Sequence, residues 1–286
     1  MLGKHKAEKI AIVDKLPPSP QHNAMRKMHG RISISTRIAY HELNGNCGRS
    51  RTHKELGTLS TLVIIPAYNE EACIARTVQE LREQAPEYDY VVINDGSRDS
   101  TAQICRDLGF NLIDLPVNLG LTGAFQTGMK YAYMHGYDHA IQFDADGQHV
   151  PGHIADLVAT MDATHADIVI GSRFVTERKP TSLRMLGSNL IAAFIRLTTG
   201  ATIKDPTSGM RLYNRSVIEQ FATRGDLTPE PETLAFLIKR QHATVVERQV
   251  SMRERAAGES YFTFSKSISY MATTCSAILF SLWFRR

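Results

Sequence analysis

In the stretch Ile141-Gln142-Phe143-Asp144-Ala145-Asp146-Gly147-Gln148-His149, an apolar run ends in two carboxylates spaced i, i+2, and glycine follows at once. On an extended chain, side chains two apart leave the same face. Asp144 and Asp146 therefore project together from a strand exit, spaced to share a hard divalent cation. Oxygen donors of this kind suit Mg²⁺ or Mn²⁺, which retain waters and take their remaining ligands from a substrate's phosphates. A polar strand-to-loop turn is the competing reading of the same residues. An EF-hand loop is excluded, because the glycine and glutamate positions counted from Asp144 hold His149 and Ala155.

The elements that must carry this pair begin at Thr58, where the texture of the chain changes. Thr61 to Ile65 is a β-branched apolar run stopped by Pro66-Ala67-Tyr68-Asn69-Glu70-Glu71, the pattern of a buried parallel strand. Asn69 is read as an N-cap, with Glu70 and Glu71 in the first turn of a helix reaching Gln84. Ile74, Val78 and Leu81 mark the inner face of that helix. Tyr90 to Ile93 reads as a second strand, ending in Asn94-Asp95-Gly96-Ser97 before a helix to Leu108. A third strand (110–115), a third helix (118–135) and the strand 140–143 lead to the aspartates. A helix (153–164), a strand (167–170) and Gly171-Ser172-Arg173-Phe174 follow. Such alternation implies a mostly parallel sheet covered by helices on both faces, with ligands at the carboxyl ends of strands near a switch point. Three strand exits carry polar or aromatic groups: Tyr68, Asp95, and Asp144 with Asp146. Gly123 to Lys130 has P-loop-like glycine spacing but lacks the glycine-lysine-hydroxyl ending, so that reading is discarded.

Composition narrows the class. An apolar fraction of 43% and a charged fraction of 22% over 286 residues describe a globular chain with a sizeable core. The net charge of +4 is uneven: residues 1–56 hold eleven Lys/Arg against four Asp/Glu, so the remainder is slightly acidic. The body thus has no basic bias toward nucleic acid. Cys47, Cys73, Cys105 and Cys275 form no C-x-x-C pair, which argues against a zinc site or a disulfide framework and fits a reducing compartment. No apolar segment of signal length follows the basic start. Residues 1–56 read as a disordered leader, or as an over-long start with Met25 or Met28 as the true one.

The ordered motifs VIIPAYNE (63–70), VINDGSRDST (92–101), FDADGQH (143–149), GSR (171–173), DPTSGMRLYNR (205–215) and RERAAGES (253–260) resemble glycosyltransferase family two. The likeness is greatest to its dolichyl-phosphate mannose synthase-like branch and spans about Thr58 to Tyr261. It implies an α/β GT-A nucleotide-diphospho-sugar transferase domain over 57–262 and inverting, metal-dependent transfer. Carried over, Pro66, Tyr68 and Glu70 line the nucleoside pocket and Asp95 hydrogen-bonds the base. Asp144 lies toward the ribose and diphosphate, Asp146 binds the metal, and Gln148 sits beside them. The implied acceptor is a polyprenyl phosphate such as undecaprenyl or dolichyl phosphate, for cell-surface glycan synthesis at the cytoplasmic face of the membrane.

Arg173, Arg211, Arg253 and Arg255 are candidates for gripping an acceptor phosphate, since guanidinium forks match its oxygens. Ion pairing at the surface is the alternative for each. Arg255 and Ser260 fit the branch's R-x-x-G-x-S pattern. A phosphate acceptor is largely ionised at neutral pH and needs no base, whereas a glycan hydroxyl does. Asp205 is the first carboxylate to consider as that base and Glu232 the second; turn-capping and helix-capping are their structural alternatives, and the conservative assignment is that Asp205 shapes the acceptor site. A nucleotidyltransferase and a non-catalytic nucleotide-sugar scaffold are the more distant rivals.

Two segments suggest a membrane surface or a separate membrane subunit. Residues 183–197 are rich in Leu, Met, Ile and Phe. In the final segment, 263–286, Phe264, Ile268, Met271, Cys275, Ile278 and Leu282 form one apolar stripe at helical spacing, closed by Trp283-Phe284-Arg285-Arg286. That segment is too short and too interrupted for a confident span of ~20 residues. Lying in the interface or docking on a membrane partner is expected, with packing on its own domain as the alternative.

Overall fold

A computed structural model describes residues 59–180, 183–254 and 264–284. The leader 1–56, Arg255 and Ser260 lie outside the described residues. Seven strands form one sheet in the order β3-β2-β1-β4-β6-β5-β7. These are β1 (Thr61–Ala67), β2 (Asp89–Asn94), β3 (Leu112–Asp114), β4 (His139–Gln142), β5 (Ile168–Ser172), β6 (Arg211–Asn214) and β7 (Val245–Gln249). All pairings are parallel except those of β6, which runs antiparallel to both β4 and β5. The mostly parallel α/β architecture is therefore as expected. β6 and β7 were not foreseen.

The helices are α1 (Ile74–Gln84), α2 (Thr101–Asp107), α3 (Gly120–Met134), α4 (Ile154–Thr164), α5 (Leu183–Thr199), α6 (Arg215–Thr223), α7 (Pro231–Gln241) and α8 (Phe264–Phe284). Alternation along β1 sorts the two faces of the sheet. Val63, Ile65 and Ala67 join one buried cluster with Ile74, Val78 and Leu81 of α1 and Ile154, Leu157 and Met161 of α4. Ile64 points to the other face, where α3 packs so closely that a Cβ on Gly128 would meet Ile64 Cγ2 at 2.3 Å. Burial on both faces explains why β1 reads as an unbroken apolar run.

The expected N-cap at Asn69 is corrected. Asn69 has a positive φ of 55°, and α1 starts only at Ile74. Asparagine tolerates this left-handed backbone through its short polar side chain. Here Asn69 Oδ1 accepts from Arg98 N at 2.9 Å.

The C-terminal stripe is corrected from Met271 onward; the side chains of Phe264 and Ile268 lie outside the described residues. α8 packs on α5 and α7, with Ile278 and Leu282 buried and Met271 and Cys275 half-buried against the chain's own domain. Gly187 of α5 makes room for this contact, since a Cβ there would stand 2.5 Å from Met271 Sδ. Arg240 Nε donates to Leu282 O at 2.9 Å and Ser281 Oγ to Glu232 O at 3.2 Å. What α8 exposes is a different set, Leu279, Phe280, Trp283 and Phe284. Among the described residues no helix is long and apolar enough to cross a membrane.

Candidate active site

β2 and β3 lie to one side of β1 and β4 to the other, so the switch point falls between β1 and β4. Their carboxyl ends deliver Pro66–Tyr68 and the aspartate pair to the same end of the sheet. The loop after β1 is laced to the loop after β2. Asn69 N donates to Ser97 Oγ, Glu70 N to Thr101 Oγ1 (both 2.9 Å) and Glu71 N to Asp99 Oδ2 (3.1 Å). Ser100 N answers by donating to Glu71 Oε2 at 2.9 Å. Pro66 and Glu70 are half-buried in this frame, and Tyr68 is 42% exposed.

Asp95 is buried at the end of β2. Its N–H donates to Ala67 O at 2.9 Å, and its Oδ1 accepts from Leu119 N at 2.7 Å at the start of α3. Burial raises its pKa, against the pull of the Leu119 and Gly120 N–H groups. Asp95 thus seats the α3 N-terminus, a structural duty the sequence did not announce.

The aspartate pair is held from several sides. Asp144 Oδ1 accepts from Gln142 Nε2 at 3.1 Å, and Asp144 N donates to His149 Nδ1 at 3.0 Å. With Nδ1 accepting, the neutral imidazole carries its proton on Nε2, which lies 3.6 Å from Asp144 Oδ2. His149 is itself buried edge-to-face against Phe143. Asp146 Oδ1 accepts from Gln148 N at 3.0 Å across Gly147, whose φ of 78° only glycine adopts readily. Gln148 O accepts from Arg253 N at 2.9 Å, and its Nε2 donates to Arg253 O at 3.4 Å, tying the aspartate loop to the segment after β7.

Among the described residues no three His, Cys, Asp or Glu side chains gather as a metal cage. Two carboxylates at a crevice instead fit an ion that completes its shell with waters and phosphate oxygens, as Mg²⁺ and Mn²⁺ do. Gly209 lets the pair exist. A Cβ there would stand 2.7 Å from Asp144 Oδ2. Gly209→Ala is therefore expected to push the carboxylate aside and slow any reaction at this site roughly tenfold to hundredfold. Its melting temperature should stay close to wild type, and a rate assay paired with a melting curve separates the two effects.

The expected acceptor residues divide. Arg173, leaving β5, is 22% exposed and pairs bidentately with Asp205: Nε to Oδ2 and Nη2 to Oδ1, both 2.8 Å. Arg173 N also donates to Asp205 Oδ2 at 3.2 Å. Asp205 is fully buried, and Glu247 of β7 holds its N–H through Oε1 at 2.8 Å. A buried carboxylate already held by a guanidinium is a poor general base, so Asp205 is corrected to the partner that aims Arg173. Glu232 is corrected likewise. Its Oε1 accepts from Thr228 Oγ1 at 2.7 Å, a tie from the first turn of α7 to the segment before it rather than a cap on a backbone N–H.

Arg211 is 3% exposed and donates to Pro229 O at 2.9 Å and Pro206 O at 2.6 Å, so it does not reach an acceptor in the cleft. Arg253 is paired with Glu80 of α1. Lys179, unforeseen, lies over the Phe174 ring at 5.4 Å beside the Arg173–Asp205 pair, and burial lowers its pKa.

The Glu80–Arg253 pair yields a pH prediction. Hydrogen bonds from Arg253 and then Arg76 hold Glu80 below its ordinary 4.5. A carboxylate lowered on folding adds stability above its unfolded pKa and loses it as pH falls through the folded value. Melting curves of wild type and Glu80→Gln should therefore differ at pH 7 and converge as pH drops below 4.5.

The profile described as "Glycosyl transferase family 2" matches residues 62–221. The polyprenol monophosphomannose synthase of Mycolicibacterium smegmatis is 33% identical over 57% of this chain and 64% of its own length, so the chain spans just under two thirds of that relative. The undecaprenyl-phosphate mannosyltransferase of Micrococcus luteus is 30% identical over 71% of this chain and 87% of its own.

Among solved structures, a mannosyltransferase from Pyrobaculum calidifontis in complex with GDP-Man and Mn²⁺ superposes with a TM-score of 0.56. It is 17% identical and covers 76% of this chain and 63% of that one. Glucosyl-3-phosphoglycerate synthase from Mycobacterium tuberculosis, with Mn²⁺, UDP-glucose and phosphoglyceric acid, gives 0.59 at 17% identity, over 78% and 79%. At such identities the superpositions speak to the fold, which is GT-A.

Proposed function

The chain belongs to glycosyltransferase family 2, and from that premise we propose that it moves a hexose from a nucleotide-diphospho-sugar to a polyprenyl phosphate. The observation that carries the reading is that β2, β1 and β4, parallel neighbours in the sheet, carry Asp95, Tyr68 and the Asp144–Asp146 pair just beyond their carboxyl ends. Tyr68 offers a flat face for the base and Asp95 an acceptor for its N–H. Asp144 and Asp146 would hold a Mg²⁺ or Mn²⁺ ion against the diphosphate, with Gln148 beside them. Bound there, the ion supplies Lewis-acid stabilisation of the charge that develops on the leaving group.

In the step itself an acceptor phosphate oxygen attacks the anomeric carbon from the face opposite the nucleotide. The new C–O bond forms as the bond to the nucleoside diphosphate breaks, and that group leaves with the electron pair, inverting the centre. Arg173 orients the acceptor phosphate, and Asp205 keeps the guanidinium aimed. The engagement of Asp205 and Glu232 by Arg173 and Thr228 favours a phosphate over a glycan hydroxyl. A hydroxyl would need a base that neither carboxylate supplies, while a phosphate monoester is already ionised.

The acceptor's lipid would lie beside α5 and α8. Leu186, Leu190 and Leu197 of α5 and Phe280, Trp283 and Phe284 of α8 are all at least 50% exposed, and neither helix contains an Asp or Glu. Such a face suits an anionic bilayer surface, with tryptophan at headgroup level, and supports peripheral binding at the cytoplasmic face. The reading is tested by offering labelled UDP-glucose or GDP-mannose with undecaprenyl phosphate as the sole acceptor. Label moving into the lipid supports it. Label moving only into a sugar-bearing acceptor overturns it.

A further inference from the structure

Directly behind Asp144, two buried polar side chains take no part in the chemistry above. Gln142 ends β4 and Arg211 opens β6, and the antiparallel ladder makes them register partners. Paired residues in such a ladder send their side chains to the same face. Each is 3% exposed. The register continued by two residues brings Gly209 opposite Asp144, in agreement with the close approach of Gly209 to the carboxylate.

The hydrogen bonds of this pair are unevenly filled. Gln142 Nε2 donates to Asp144 Oδ1 at 3.1 Å, while Arg211 gives Nη1 to Pro229 O and Nη2 to Pro206 O. Two atoms have no hydrogen-bond partner among the described residues, Gln142 Oε1 and Arg211 Nε. One is an acceptor and the other a donor, on facing residues. A primary amide has a donor end and an acceptor end, and only its surroundings decide which way it points. Turned over, Gln142 would set its oxygen against the Asp144 carboxylate and its NH₂ on the face it shares with the positive Arg211 guanidinium, and both arrangements are electrostatically unfavourable.

We propose that Arg211 is a positioning residue for Asp144. Its guanidinium, on the same face and without a hydrogen bond to the Gln142 amide, keeps that amide the right way round by its charge, and the amide presents its N–H to Asp144 Oδ1. With Gln142 on Oδ1 and with His149 and Gly209 beside Oδ2, the carboxylate is locked in one rotamer facing the crevice. This explains why an arginine with no carboxylate among its hydrogen-bond partners is buried in β6. The inference rests on the assignment of Asp144 and Asp146 as a divalent-cation site. Partners that orient a metal ligand typically change metal affinity by about 10–100-fold when removed.

The test is an electron paramagnetic resonance titration of Mn²⁺ into the full chain with UDP, and in a parallel series with GDP. Gln142→Met and Arg211→Lys are each expected to weaken Mn²⁺ binding by roughly tenfold. Saturating Mn²⁺ should restore the transfer rate, which a general loss of folding would not allow. Gln142→Asn keeps an amide but shortens its reach, and gives the same reading should Gln142→Met fail to fold. Wild-type affinity in the Gln142 variant, with binding lost in Asp144→Ala, overturns the relay and leaves the cation site standing. Wild-type affinity in Arg211→Lys overturns the guanidinium's part. Failure of the unmodified chain to bind Mn²⁺ overturns the cation site and the relay together.

Discussion

Asp146→Ala is expected to lower sugar transfer by roughly 10²–10³-fold while leaving the fold intact. The side chain is half-buried on a loop, so its removal opens no buried cavity. Its loss takes away one of only two carboxylates that would hold the cation against the diphosphate. Removing one group that stabilises charge in a transition state commonly costs that much in rate. Melting temperature should move by no more than a surface substitution allows, about 0.5 kcal/mol in stability. A nucleotide-sugar scaffold without turnover would lose ligand binding in this variant and have no rate to lose. Steady-state rates with a melting curve therefore distinguish the two readings.

Asp205→Ala should act in the opposite proportion, unsettling the fold as well as the rate. The carboxylate is fully buried and Arg173 only 22% exposed, so removal strands a largely desolvated guanidinium. Breaking a buried pair costs about 3–5 kcal/mol, and the partial exposure of Arg173 argues for the lower end. For a domain of this size that is a melting shift of roughly 6–12 °C. Replacing both partners together, as Arg173→Met with Asp205→Leu, removes both buried charges and should recover most of the stability. The rate should not recover, because Arg173 is assigned to the acceptor phosphate. A general base at Asp205 would instead give a rate loss in Asp205→Asn with stability unchanged.

Much of this site could be read before any coordinates, for a reason that lies in the parallel sheet. A strand buried on both faces must be apolar until it ends, so β1 and β4 announce their exits. The polar residues at those exits, Tyr68 and the Asp144–Asp146 pair, then stand out. β6 stayed hidden because Arg-Leu-Tyr-Asn has no such run; it is a strand only because β4 and β5 flank it. The arginines were legible as donors but not as to their partners. A guanidinium fork fits a phosphate, a carboxylate or two carbonyls equally well in chemistry. Whether Arg173 meets Asp205, 32 positions away, or Arg211 meets Pro229 is settled by packing. α8 shows the same limit. Its periodicity marks one stripe, but the helix is apolar on more than one side, and contact with α5 and α7 decides which side is buried.

The central claim is that a divalent cation bound by Asp144 and Asp146 joins the chain to the diphosphate of its donor. Anomalous scattering from crystals grown with Mn²⁺ and a nucleoside diphosphate measures this most directly. A manganese peak within coordination distance of both aspartates and of the diphosphate oxygens is the predicted result. A nucleotide seated in the crevice with manganese elsewhere, or with none, would contradict it.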